Sequence, residues 1–171
     1  MGKKRLTPKQ YRDETVYRQI KVSRYATGQA NYVQSLVDEL NDKIARFCLI
    51  KKIIETKGQH QECKKYVRSK CMEYRERLYN YLQKELKGFI KEQSKWVYNN
   101  SPVELKKANI DRISRNVFFT AFSDTENIKS FVTRIFNQIF QIWNSQLTIS
   151  YRTGQTMKDM IKLVLDKEIK Q

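Results

Sequence analysis

The sequence predicts an all-α protein, a long antiparallel helical hairpin plus a smaller helical bundle, with no sheet. Three observations predict it. Lysine, glutamate, glutamine, isoleucine and leucine dominate, a composition that favours helix. Only five glycines and two prolines punctuate 171 residues. Apolar residues recur at steps of three and four over long stretches, and no convincing period-two segment competes with them. About six helices are expected, in a basic N-terminal arm with a short helix (1–30), the hairpin (31–98) and a C-terminal helical bundle (99–171).

In the arm, Pro8 is placed to start a helix and Gly28 to end one. Tyr11, Tyr17 and Tyr25 alternate with Arg12, Arg18 and Arg24. That interleaving suits either a segment lying on an acidic partner or a short core helix with exposed arginines. The first hairpin helix carries Val33, Leu36, Val37, Leu40, Ile44, Phe47, Cys48 and Ile54 on one face. Lys57-Gly58-Gln59 is expected to break it. The second, from about Gln61 to Tyr98, carries Tyr66 or Val67, Cys71, Tyr74, Leu78, Tyr81 or Leu82, Leu86, Phe89 or Ile90, and Trp96 or Val97. A short glycine turn between two such helices forces them antiparallel. The aromatic residues keep the spacing of a buried face and are read as core rather than as a platform for bases.

Asn99-Asn100-Ser101-Pro102 closes the hairpin, and Ser101 with Glu104 predicts a capping box opening a short helix to about Ala108. Another helix runs through Ile110, Ile113, Val117 and Phe118 to about Phe122. Ser123-Asp124-Thr125 is read as the cap of the most apolar helix, from Ile128 to Ile149, which should be central. Gly154 then supplies a left-handed helix end, and Thr156 caps a last helix burying Met157, Met160 or Ile161, Val164 and Leu165.

Charge is the strongest functional signal. Thirty-four Lys and Arg against eighteen Asp and Glu leave +16, which selects polyanionic partners and says nothing of fold. The candidate nucleic-acid-binding residues are Lys3, Lys4, Arg5, Lys9, Arg12, Arg18, Lys21 and Arg24 in the arm. Lys64, Lys65, Arg68, Arg75 and Arg77 follow on the hairpin. Such rows bind phosphates by displacing counterions, without reading sequence. No phosphate loop, paired-glycine fingerprint or nucleophile beside a histidine is present, so no enzyme and no cofactor are expected. The single histidine, His60, cannot build a zinc site of the usual spacing, and Cys48, Cys63 and Cys71 are read as buried thiols. No stretch reaches the roughly 18 apolar residues of a membrane span. The basic N-terminus lacks a signal-peptide core, which points to a cytoplasm-like compartment.

The C-terminal corner, "ISYRTGQTMKDMIKLVL" (149–165), has Gly154, Met160 and Leu163 at the spacing of a DNA-reading helix-turn-helix. Against that reading, Gln155 stands where an apolar contact belongs, and Lys158, Asp159 and Lys162 are nearly neutral together. A plain helical corner is favoured. A sequence-specific regulator using this corner, or a basic helical adaptor of a protein or RNA assembly, remain the alternatives.

The stretch from Arg134 to Val164, "RIFNQIFQIWNSQLTISYRTGQTMKDMIKLV", resembles the minor head protein (head morphogenesis) family of tailed bacteriophages. The residues that carry the resemblance are Arg134-Ile135, Asn137, Trp143, Leu147, Arg152, Gly154, Thr156, Met160 and Ile161, preceded by a long basic, tyrosine-rich hairpin. Many members continue into a domain with an Ala-Arg-Thr-Glu-like signature, so these residues are expected to match a short member or an N-terminal portion. The resemblance implies a non-enzymatic, multi-copy capsid component inside the virion near the portal, assembled in the host cytoplasm. Its implied partners are packaged double-stranded DNA and the portal or major capsid protein.

Overall fold

A computed structural model of the chain describes residues 6–123 and 128–168. Five α-helices are found among them: α1 (Pro8–Leu49), α2 (Lys57–Asn100), α3 (Lys107–Ser123), α4 (Ile128–Thr153) and α5 (Met157–Glu168). No strand forms among the described residues, apart from one isolated antiparallel bridge between Ile53 and Thr156. The protein is all-α, and α1 packs along α2 as an antiparallel hairpin.

The hairpin starts earlier than the periodicity suggested. Thr7 and Gln10 form a reciprocal cap: the Thr7 hydroxyl accepts from Gln10 N–H at 3.3 Å and the Gln10 carbonyl from Thr7 N–H at 3.0 Å. Pro8 follows at the first helical position. The helix then runs through Gly28 without a break and stops at Leu49, short of the expected Lys57. Gly28 does not end a helix because Tyr25 and Tyr32, either side of it, both stack on α2. That tertiary pairing outweighs the roughly 1 kcal/mol that glycine costs inside a helix. Thr56 and Gln59 repeat the cap at the start of α2, so Lys57-Gly58-Gln59 is its first turn rather than a break. Ile54, expected on the α1 stripe, sits in the loop between the helices and is buried there.

Two compact units are present: Met1–Val33 with Tyr79–Lys129 (unit 1), and Gln34–Leu78 with Ser130–Gln171 (unit 2). In unit 2 the C-terminal half of α1, the N-terminal half of α2, α4 and α5 enclose a core. Leu36, Leu40, Ile44 and Cys48 of α1 meet Cys63, Val67, Tyr74 and Leu78 of α2, with Phe136, Trp143, Leu147, Met157 and Met160 filling the remaining space. Trp143 is fully buried and donates its indole N–H to Asn41 Oδ1 at 2.9 Å. The α4 helix buries one stripe of its apolar surface, and Phe131 and Ile149 are each 46% exposed. Asp124 and Thr125 of its expected cap lie outside the described residues. The three cysteines are buried free thiols.

The α4–α5 corner is closed as its residues suggest. Gly154 takes φ +67°, and the Thr156 hydroxyl accepts from Asp159 N–H at 3.2 Å while donating to the Asp159 carboxylate at 2.6 Å. The corner is also bound to the hairpin loop: Met157 N–H donates to Lys52 O at 2.8 Å. Lys52 itself is held at φ +56°, a left-handed conformation costing a non-glycine residue about 1 kcal/mol.

Unit 1 is built differently. Its seam is a row of aromatic stacks, Tyr11 on Trp96, Tyr25 on Phe89 and Tyr32 on Tyr81, with centroids 5.3, 4.4 and 3.8 Å apart. Among its described residues no apolar side chain is fully buried. No short helix opens at Pro102. Ser101 N–H closes α2 onto Val97 O at 3.0 Å and its hydroxyl accepts from Val103 N–H at 3.2 Å, leaving α3 to begin at Lys107.

Two outcomes are expected. Backbone amides of residues 15–33 and 82–97 should exchange with solvent faster than those of residues 36–48 and 63–78, because burial of apolar contacts sets local opening free energies. Equal protection measured by hydrogen exchange would contradict this difference between the two units. Trp143→Phe should lower stability by about 3 kcal/mol in denaturant unfolding, through the reduced side-chain volume and the donor removed from Asn41.

Candidate nucleic-acid interface

Folding sorts the thirteen candidate cations into three groups. Lys3, Lys4 and Arg5 lie outside the described residues. Arg18 and Arg77 are engaged by side chains across the hairpin, Arg18 half-buried and Arg77 exposed. The Arg18 side chain is 14% exposed, its guanidinium lies 4.4 Å from the Trp96 ring centroid, and it donates to Gln93 Oε1 at 2.7 Å with Glu92 at 3.9 Å. It occupies the seam position between Tyr11 and Tyr25, seven residues from each, where a cation can stack on an indole face. Arg77 donates to both Glu39 carboxylate oxygens at 3.2 Å.

The rest stand on two surfaces. In unit 1, Lys9, Arg12, Lys21 and Arg24 are exposed on α1. Tyr11 and Tyr25 face α2, whereas Tyr17 stays exposed with Lys21 Nζ 5.1 Å from its ring centroid. The Tyr–Arg alternation is therefore a seam and an outer face superposed.

In unit 2, Lys64, Arg68 and Arg75 stand at i, i+4 and i+11 on one flank of α2, and Lys65 adjoins them. The row is about 16 Å long at 1.5 Å per residue. Lys65 and Arg68 are exposed, Lys64 and Arg75 half-buried. Arg75 meets Glu76 at 3.3 Å, and Lys64, Lys65 and Arg68 make no ion pair among the described residues. Acidic side chains are instead gathered on the opposite flank, where Lys70 pairs with Glu73 and Lys51 with Glu62.

Glu39 organises that opposite flank. Its carboxylate accepts from the buried Tyr74 hydroxyl at 2.6 Å and faces Lys43 at 3.1 Å as well as Arg77. The Tyr74 hydrogen bond, followed by Lys43 and Arg77, holds the Glu39 carboxyl at about 2, against an ordinary value of 4.5.

His60 and Arg152, neither of them among the thirteen candidates, adjoin the α2 row. His60, in the first turn of α2, stacks on Tyr151 of α4 with centroids 4.8 Å apart, and its Nε2 lies 3.3 Å from Thr148 Oγ1. Arg152 follows Tyr151 and is exposed. Residues from opposite ends of unit 2's sequence meet here, and no local motif announces it. Among the described residues no group of three His, Cys, Asp or Glu could hold a metal ion. No described helix is long and apolar enough to cross a membrane.

No family model, curated protein or solved structure matches this chain.

The Glu39 cluster gives a pH test. A carboxyl whose folded value is depressed stabilises the fold fully above its unfolded value, and that contribution is lost as pH falls from about 4.5 towards 2. The melting-temperature gap between wild type and Glu39→Gln should be open at pH 6 and close over that window. A gap that persists at pH 2 would show that Glu39 acts by other means.

Proposed function

We propose that this chain is a non-enzymatic structural protein of a phage head that binds DNA non-specifically through its phosphates. The observation that carries the DNA half is the row Lys64, Lys65, Arg68 and Arg75. It presents four cations on one flank of α2, with acidic side chains drawn to the other. Lys9, Arg12, Lys21 and Arg24 supply a second basic surface in unit 1. Lys64, Lys65 and Arg68, which make no ion pair among the described residues, suit backbone contacts, which position a protein on a duplex without specifying bases.

The C-terminal corner supports the same choice against a sequence-specific regulator. A base-reading helix needs a free N-terminal end to enter the major groove. The start of α5 is instead bonded to the hairpin loop at Lys52, and Met157, Met160, Ile161 and Val164 are buried. Placement in a virion near the portal rests on the resemblance carried by Arg134-Ile135, Trp143, Arg152, Gly154 and Thr156. Docking on a capsid or portal protein is supported by unit 1, where Val16, Tyr17 and Ile20 are 55%, 54% and 48% exposed on one face of α1. An exposed apolar cluster flanked by cations suits a protein contact better than a solvated face.

Fluorescence anisotropy with random and defined duplexes provides the test. Both should bind alike, and four phosphate contacts on α2 alone should weaken about a hundredfold between 50 and 200 mM salt. Replacing Lys64, Lys65 and Arg68 by alanine should flatten the log–log salt slope by about 0.9 for each phosphate no longer neutralised. Arg18→Ala should leave that slope unchanged and lower stability instead. A preferred duplex that survives high salt would favour the regulator, and absence of binding to any duplex would leave a protein or RNA adaptor.

A further inference from the structure

We propose that His60, Lys64 and Arg152 form a seat for one backbone phosphate of a nucleic acid, where the first turn of α2 meets the last turn of α4. The inference deepens the DNA reading and rests on it.

The imidazole is fixed before any ligand arrives. Stacking on Tyr151, at 12° between planes, sets the ring plane. Thr148 sets the tautomer: its hydroxyl proton is donated to Asn144 O at 2.8 Å, so Thr148 Oγ1 is left to accept, and His60 Nε2 must carry the hydrogen it receives. Protonation therefore occurs at Nδ1, creating a charged donor in a ring that is already oriented.

The charged groups around the ring share one sign. Lys64 lies one turn along α2 and Arg152 comes from α4, while Tyr151 is the neutral wall. Glu62, the nearest carboxylate in sequence, is engaged by Lys51 at 2.7 Å. Burial first, then Lys64 and Arg152, push the His60 value below its ordinary 6.5. Neither Lys64 nor Arg152 has an ion pair among the described residues. Like charges held together without a counter-ion are resolved by an anion placed among them. A tetrahedral phosphate offers oxygens to an imidazolium N–H, an ammonium and a planar guanidinium at once. It would also place the seat at the end of the α2 row, in line with Lys64 and Arg68.

A phosphodiester does not titrate near neutrality, so pH dependence of binding through this seat comes from His60. Binding the anion favours the imidazolium, raises its value, and strengthens as pH falls through it.

The chain has one histidine, so its imidazole signals in NMR spectra belong to His60 without further assignment. The His60 titration is followed between pH 5 and 8 for the full chain alone, with a random duplex, and with inorganic phosphate, while duplex affinity is measured at pH 5.5 and 8. The duplex should raise the His60 value by about one unit, equivalent to up to about tenfold tighter binding from this one group as pH falls below the free value. His60→Gln should lose that increment, and Arg152→Gln, which keeps the reporter, should reduce the rise. Duplex binding with an unmoved His60 titration overturns the seat and leaves the DNA reading standing. An equal rise with millimolar inorganic phosphate but none with duplex overturns the nucleic-acid assignment in favour of a free phosphate. Absence of duplex binding at both pH values overturns the DNA reading and this proposal with it.

Discussion

The pairing of α1 with α2 is the constraint on which the other features depend. On α1 the partners fall at seven-residue steps: Tyr11, Arg18, Tyr25, Tyr32 and Glu39 meet Trp96, Gln93, Phe89, Tyr81 and Tyr74 in turn. Each advance along one helix is matched by a retreat along the other, as an antiparallel register requires. Seven residues is close to two full helical turns, so one face of α1 is committed throughout. Every cation on that face becomes structural, and those off it stay available to solvent and ligands.

The same pairing is completed differently in the two units. In unit 2 the seam gains α4 and α5 and becomes a closed core, with the Asn41–Trp143 hydrogen bond fixing how α4 lies on α1. In unit 1 the seam itself is the main apolar contact, and its aromatic stacks each contribute about 1 kcal/mol beyond area. A cation over an indole takes the place that a buried aliphatic holds in unit 2. Such a surface tolerates polar and charged residues close to the seam, which is why unit 1 can expose Val16 and Ile20 beside Arg12 and Lys21.

Much of this was legible in the chain. The stripes from Leu36 to Cys48 and from Val67 to Leu78 have the period of their helices, and Thr156, Asp159 and Gly154 announce the last corner. Thr7–Gln10 and Thr56–Gln59 carry the same capping chemistry, and reading them would have placed both hairpin helices correctly. Gly28 misleads because its local cost is real and is outweighed only by stacks between residues more than forty apart. Arg12, Arg18 and Arg24 look alike in sequence, and only the register with α2 separates the inward one from its neighbours. The meeting of His60 with Thr148 and Arg152 needs the whole of unit 2, so nothing near either residue signals it.

The bond from Met157 to Lys52, like that from Trp143 to Asn41 across 102 residues, joins segments far apart in the chain. On a ribosome the hairpin therefore emerges long before its cover. Leu36, Leu40, Ile44 and Val67 wait in solvent until α4 and α5 are synthesised, and unit 2 can close only once α5 has emerged. At a usual elongation rate of about 5–20 residues per second, that wait lasts several seconds. Contacts of such separation also slow the final docking, because the intervening chain must be ordered first. Nascent chains are thus most exposed to aggregation just before the corner at Gly154 is made, and a surplus of sixteen positive charges keeps neighbouring copies apart while they wait.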